Sequence, residues 1–147
     1  MENLKIEIMN QNHLDGVLRV EEESFVISWS RKSFEDELKN DKALYLVAKQ
    51  DEKVIGYIGT WLIFDEAHIT NIAVSYEFRN QKIGDKLVSE LINICKDKKI
   101  KSMTLEVRNS NIIAQKLYKN HGFKLAGIRK EYYSDNKEDA LIMWKEV

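Results

Sequence analysis

The stretch Val74-Ser75-Tyr76-Glu77-Phe78-Arg79-Asn80-Gln81-Lys82-Ile83-Gly84-Asp85-Lys86-Leu87-Val88 decides how the rest of the sequence is read. Its apolar start ends a strand, its basic middle turns, and Ile83, Leu87 and Val88 open an apolar stripe at helical spacing. Such a turn presents the backbone N–H groups of Gln81, Lys82, Ile83 and Gly84 at a helix N-terminus. The first N–H groups of a helix have no partner within it, and the aligned peptide dipoles leave partial positive charge there. The turn is therefore an anion site, to which Arg79 and Lys82 add full charges, and a phosphate or pyrophosphate is its natural guest. The same residues also fit an ordinary strand–turn–helix with a solvated basic turn, so the flanking sequence has to arbitrate.

Upstream, Leu4-Lys5-Ile6-Glu7-Ile8-Met9 alternates as a half-buried strand. Asn10 or Asn12 is placed to cap a helix with Leu14, Val17, Leu18 and Phe25 on its apolar side. Ser30 begins a second helix that pairs Phe34 with Leu38 and turns Glu35, Asp36 and Glu37 to water. Trp29, just before it, is either a packing residue or an exposed aromatic beside a cleft. Residues 44–48, 54–64 and 68–74 form an antiparallel meander, with Gly56 and Gly59 where a neighbour approaches closely or the strand bends. His68 reads as a partly exposed strand residue without a second ligand at metal spacing, and His13 and His121 as surface and cap residues.

Downstream, residues 83–98 carry the stripe Ile83, Leu87, Val88, Leu91, Ile92, Cys95. The strand 102–107 points Met103, Leu105 and Val107 one way and Thr104 and Glu106 the other. Asn109-Ser110-Asn111 starts a helix over 112–121 that buries Ile113, Leu117 and Tyr118 and stops at Gly122. Strands 123–128 and 139–144 follow, with a long polar loop between them. The expected fold is α/β (α+β): a mixed, mostly antiparallel twisted sheet of about seven strands flanked by about four helices, in one domain spanning 1–147. A single glycine in the key turn argues against the three-glycine dinucleotide fingerprint.

The net charge of −1 on 147 residues gives no footprint for bulk binding to nucleic acid or anionic membrane. One cysteine forbids an intramolecular disulfide, and Cys95 reads as a buried small hydrophobe. No signal-peptide pattern and no apolar run of ~18 residues is present, so a cytoplasmic chain is expected.

Several blocks then carry a family resemblance: Asn71-Ile72-Ala73-Val74, Arg79-Asn80-Gln81-Lys82-Ile83-Gly84, Leu105-Glu106-Val107-Arg108-Asn109-Ser110-Asn111, Leu117-Tyr118 and Gly122-Phe123. In this order and spacing they resemble the GNAT acetyltransferase superfamily. Gly127-Ile128-Arg129, Tyr132-Tyr133, Glu138-Asp139-Ala140 and Met143 narrow the likeness to the bacterial ribosomal-protein-alanine N-acetyltransferases. The resemblance covers essentially the whole chain. It implies acetyl-CoA as cosubstrate, no metal, and a protein N-terminus, on a small-subunit ribosomal protein, as acceptor. It also implies a monomer that makes no direct contact with nucleic acid or membrane. By the same resemblance Ile72, Ala73 and Val74 form the strand edge beside the pantetheine arm. Asn80, Gln81, Lys82, Ile83, Gly84 and Asp85 wrap the pyrophosphate, and Asn111 reaches the cofactor. Glu106 is the general base and Tyr118 the general acid. The sequence departs from the family turn at Lys82, where close relatives have Gly, at Lys86, where they have a small residue, and at Ser75, where proline is usual.

The chemistry is consistent with these roles. At pH 7 about 10–20% of an α-amine of pKa 7.7–8.0 is already neutral, against about 0.04% of a lysine. One carboxylate then suffices as base, and a tyrosine is a fair proton donor to a leaving thiolate. A backbone N–H of the strand at Ile72 to Val74 is the expected oxyanion donor. Taken without the resemblance, Glu106 also fits a surface carboxylate paired with Lys or Arg, and Tyr118 a core aromatic. Tyr132 and Tyr133 fit either peptide anchors or a strand end, and with Trp29 they are the candidate substrate wall. The alternatives are a GNAT enzyme acting on lysine, a polyamine or another small amine, and a non-catalytic acyl-CoA-binding domain. An RNA-binding module lacks the basic excess.

Overall fold

In the computed structural model, which describes residues 3–25 and 27–147, the alternating segment Leu4–Ile8 forms strand β1. Met1, Glu2 and Val26 lie outside the described residues. Helices α1 (Leu14–Ser24) and α2 (Arg31–Lys39) follow, then strands β2 (Ala43–Gln50), β3 (Lys53–Ile63) and β4 (Glu66–Val74). The chain continues through α3 (Ile83–Asp97), β5 (Ser102–Arg108), α4 (Ile112–Asn120), β6 (Lys124–Arg129) and β7 (Ala140–Glu146). The seven strands make one sheet in the order β1-β2-β3-β4-β5-β7-β6, antiparallel throughout except between β4 and β5. Among the described residues no helix is long and apolar enough to cross a membrane.

Each face of the sheet buries a different set of side chains. On one, Leu46, Ile58, Ile69, Met103 and Leu105 pack against the stripe Ile83, Leu87, Val88, Leu91, Ile92, Cys95 of α3. On the other, Tyr45, Val47, Tyr57 and Ala73 pack against Leu14, Val17 and Val20 of α1 and Phe34 of α2. Cys95 is buried as expected, and burial pushes its thiol up to about 11.

Four expectations change. His13 is not a surface residue: its ring accepts from the Asn10 backbone while Asn10 caps the preceding turn, and this closes it to 7% exposure. Phe25 falls beyond α1, and Val20 and Glu21 take the buried side instead. Glu37 does not face water; it is 9% exposed because the Trp61 indole N–H donates to its carboxylate at 3.0 and 3.1 Å. Ile113 is 85% exposed. The Asn111 cap and the Gln115 amide, which donates to the carbonyls of Arg108 and Asn109, fix the phase of α4 so that Gln115 and Tyr118 point inward.

The feature that shapes the site is an irregularity of β4. Gly59 pairs with Asn71 and Thr60 with Ile69, so Thr70 is an extra residue on β4. Such a bulge bends its strand and raises the local twist. β5 pairs with β4 only from Glu66↔Ser102 to Ile69↔Leu105, and beyond the bulge the two strands part. Gly59 sits beside the register shift in close packing: an added Cβ would lie 2.6 Å from the Asn71 Oδ1 and closer still to the Tyr45 ring. Gly59→Ala is expected to lower stability by about 1–3 kcal/mol through overpacking, measured by urea denaturation.

Candidate active site

The parting of β4 and β5 opens a cleft of about 680 Å³. Its walls are β4, the segment entering α3, and the face of α4 that carries Asn111, Ile113, Ala114 and Leu117. Ile72, Ala73, Val74, Asn80, Lys82, Ile83, Gly84, Asp85 and Asn111 all line it. Gln81 does not; its side chain donates to the carbonyl of Glu77 at 3.3 Å.

Helix α3 enters without a side-chain cap, unlike α2, capped by Ser30, and α4, capped by Asn111. The first backbone bond that closes it runs from Lys86 N–H to the Lys82 carbonyl. The N–H groups of Ile83, Gly84 and Asp85 therefore stay open toward the cleft, with the helix dipole behind them. Asn80 and Lys82 both have φ of 64°, so left-handed residues shape the turn into a concave run of N–H groups. The Asp85 carboxylate is held away by the His121 ring at 3.0 Å. Gly84 also lets α3 approach α4, since a Cβ there would meet Leu117 Cδ2 at 3.3 Å. Lys86 is exposed and does not line the cleft, so its departure from the small residue of the family turn leaves the wall intact.

The edge of β4 supplies further donors. Ser75 N–H bonds to the Ile55 carbonyl of β3, so alternation along an antiparallel strand turns Ala73 toward β3 and Ile72 and Val74 toward the opening. The Val74 carbonyl accepts from Arg79 Nε at 3.2 Å on that side. Ile72 N–H faces the cleft; Ala73 borders it between Ile72 and Val74 while its side chain packs in the core beneath α1 and α2.

Glu106 stands on the β5 side of the parting, its side chain 16% exposed. Its Oε2 is 2.6 Å from His68 Nε2, and its Oε1 is 3.4 Å from Arg129 Nε. His68 thus has a carboxylate partner after all. It comes from the neighbouring parallel strand, 38 residues away, where no local spacing could show it. Among the described residues no third His, Cys, Asp or Glu joins the pair as a metal group. Tyr118 is 4% exposed, packed edge-on against Phe123 at 5.7 Å, and does not line the cleft. Burial, then the neighbouring Tyr133, raises its hydroxyl well above the usual tyrosine value. Tyr133 is itself raised, by burial first, against the opposing Arg108 guanidinium.

The loop between β6 and β7 is fastened over this corner. Arg108 stacks on the Tyr133 ring at 3.9 Å and pairs with Asp135 at 2.9 Å and Glu138 at 3.3 Å. Arg129 lies 5.7 Å from the Tyr132 ring, which is half exposed. Trp29 lies elsewhere, in a separate hollow beside α2. The contacts of His68 and Arg129 with Glu106 are not legible in the sequence, because each joins residues from different strands.

The family profile described as Acetyltransferase (GNAT) family matches residues 14–123. The chain belongs to this family. It is 46% identical over 137 residues to a Bacillus subtilis (strain 168) protein named putative ribosomal protein bS18-alanine N-acetyltransferase, covering 92% of this chain and 91% of that one. The solved ribosomal-protein-S18-alanine N-acetyltransferase of Escherichia coli superposes with a TM-score of 0.91 at 31% identity, covering 98% of this chain and 94% of that one. A GNAT acetyltransferase from Elizabethkingia anophelis, solved with acetyl-CoA bound, shares the fold at a TM-score of 0.80 and 24% identity, with 100% of both chains covered. This GNAT chain is an acetyl-CoA-dependent N-acetyltransferase. The open α3 N-terminus and the unpaired edge of β4 fit a pyrophosphate and a pantetheine arm.

Two outcomes follow from the geometry. Lys82 holds a left-handed conformation that glycine adopts without strain, so Lys82→Gly is expected to raise unfolding free energy by ~1 kcal/mol in urea titration. The Arg108 guanidinium holds the Asp135 carboxyl below its ordinary range, and hydrogen bonding from Ser110, with Arg108, does the same for Glu138. Groups lowered by folding stabilise above their ordinary values and lose that contribution as pH falls through the lowered ones. Amide exchange in residues 130–139 should therefore accelerate as pH drops below about 4, after correction for intrinsic exchange rates.

Proposed function

We propose that this enzyme acetylates the α-amine of an N-terminal alanine on a small-subunit ribosomal protein, with Glu106 as general base and Tyr118 as general acid. The observation that carries the proposal is the Glu106 carboxylate, held by His68 one residue beyond the last β4–β5 pair, on the β5 side of the parting whose β4 side carries Ile72 and the cleft. The 46% identical Bacillus subtilis relative and the Escherichia coli structure, both named for that activity, support the acceptor class.

Acetyl-CoA supplies the electrophilic thioester carbon and a thiol leaving group. The amine approaches Glu106 from the Oε1 side, where Arg129, more than half exposed, swings clear, and Glu106 takes its proton. His68 fixes Oε2, so the base keeps one orientation as the amine arrives. Ile72 N–H faces the opening, placed to donate to the carbonyl oxygen as negative charge grows on it. In this reading Tyr118, kept protonated by burial, is the acid for the departing sulfur, although its ring lies behind the cleft wall and not on it. Tyr132 and Tyr133 shape the acceptor wall, and Asn111, whose Oδ1 caps α4, borders the cosubstrate. The chain acts as a monomer in the cytoplasm, on protein rather than nucleic acid.

Intact-mass measurement of small-subunit ribosomal proteins, with and without this gene, tests the acceptor. Loss of one acetyl group from an N-terminal alanine is expected. Unchanged ribosomal N-termini would overturn the acceptor assignment and direct the search to lysine, polyamines and other free amines. In purified protein, Glu106→Gln should lower kcat about 10²–10⁴-fold with coenzyme A affinity unchanged, as should Tyr118→Phe more weakly. His68→Gln should lower kcat less than Glu106→Gln and shift the pH–rate profile. Wild-type rates in both the Glu106 and Tyr118 variants would exclude both catalytic roles.

A further inference from the structure

A second hollow, of about 350 Å³, lies outside the acetyl-CoA cleft and is lined by Trp29, Ser33, Asp36, Glu37, Asn40 and Trp61. Its chemistry is specific. Trp29 and Trp61 each keep more than a third of their surface exposed, and tryptophan faces attract cations more strongly than other rings. Glu37 is buried, yet its hydrogen-bond partner is the neutral Trp61 indole, and no Lys, Arg or His pairs with it among the described residues. A buried carboxylate without a countercharge is costly and favours a ligand that brings one. Asp36 on the rim has only the exposed, one-turn pair with Lys32 at 3.3 Å, a contact weak enough to exchange.

The sheet connects this hollow to the base. Trp61 sits directly opposite His68 across β3 and β4, and His68 opposite Thr104 on β5, so the three share one face. Glu106 is two residues beyond Thr104 on that face and touches His68. At ~4.8 Å between strands, two strand spacings separate β5 from Trp61, and Glu106 lies two residues, ~6.6 Å, further along β5, so the two positions are about 12 Å apart. An extended polypeptide advances ~3.3 Å per residue, so its backbone covers that span in about three to four residues, fewer if a long side chain makes the last part of the reach.

We propose that the hollow between α2 and β3 is an acceptor subsite for a Lys or Arg side chain at the second to fourth residue of the polypeptide whose α-amine lies at Glu106. The aliphatic stem lies between Trp29 and Trp61, and the cationic head meets Glu37 and Asp36. The subsite rests on the N-terminal acceptor proposed above and adds a sequence preference to it.

The test is a set of N-terminal-alanine peptides in a Ser/Gly background, with one Lys walked through positions 2 to 6 and Gln at the same positions as control. With acetyl-CoA and purified enzyme, Lys at one position among 2 to 4 should lower KM about 5–20-fold against Gln, and Lys at position 6 should not. Asp36→Lys, on the surface and safe for folding, and Glu37→Gln, which keeps an acceptor for Trp61, should erase that preference. Both should leave kcat on the Gln peptides near the wild-type value. Equal KM for Lys and Gln peptides, or a preference that survives Asp36→Lys, would overturn the subsite while leaving the N-terminal acetyltransferase intact. If no peptide is acetylated, titration of arginine amide followed by tryptophan fluorescence separates the two ideas. Quenching lost in Asp36→Lys would uphold the cation subsite and sink the polypeptide acceptor, and no quenching would remove both.

Discussion

β4 and β5 hydrogen-bond over four residue pairs and then separate at the Thr70 bulge, and the working parts of this enzyme are arranged around that separation. A parallel pair that stayed closed would satisfy its own backbone groups and leave nothing for a ligand. Because it opens, Ile72 turns its N–H to the cleft and the N-terminus of α3 meets a cavity, with Glu106 on the β5 side of the parting. The cost of the opening is a run of unpaired edge backbone, which is tolerable where a polar ligand or water can reach it.

The bulge is held from the other face of the sheet by side chains. Thr70 donates to Asn71 at 2.8 Å, Asn71 to the Tyr57 hydroxyl at 2.8 Å, and Tyr57 to the buried Glu21. Glu21 also accepts from the Trp29 backbone at 2.8 Å, and the Tyr45 hydroxyl lies 3.3 Å from Thr70. One connected network therefore ties the irregular strand to α1 and to the segment leading into α2. Burial, reinforced by Glu21, raises the Tyr57 hydroxyl, so it remains a donor. The segment that carries Trp29 is thereby fixed relative to the strand that carries Ile72.

Glu37 and Glu106 sit in contrasting environments on the same side of the sheet. Glu106 meets two cationic or ionisable partners near the cleft, His68 and Arg129, either of which can yield. Glu37 is locked beneath one neutral donor, the Trp61 indole.

The sequence by itself determined the element order, the stripe of α3, the half-buried pattern of β5, the Asn111 start of α4 and the Gly122 stop with φ of 91°. These follow from periodicity and local capping, which act over a few residues. The ordered motifs also pointed to the acetyltransferase family. Only the tertiary structure decided that His68 meets Glu106, that Glu37 is buried under Trp61, that Ile113 faces out and that Tyr118 sits behind the cleft wall. Each of these depends on strand register or helix phase, set by packing between segments far apart in the chain. Local spacing cannot encode a contact between residues 38 positions apart; the Thr70 bulge and the parting of two parallel strands create it.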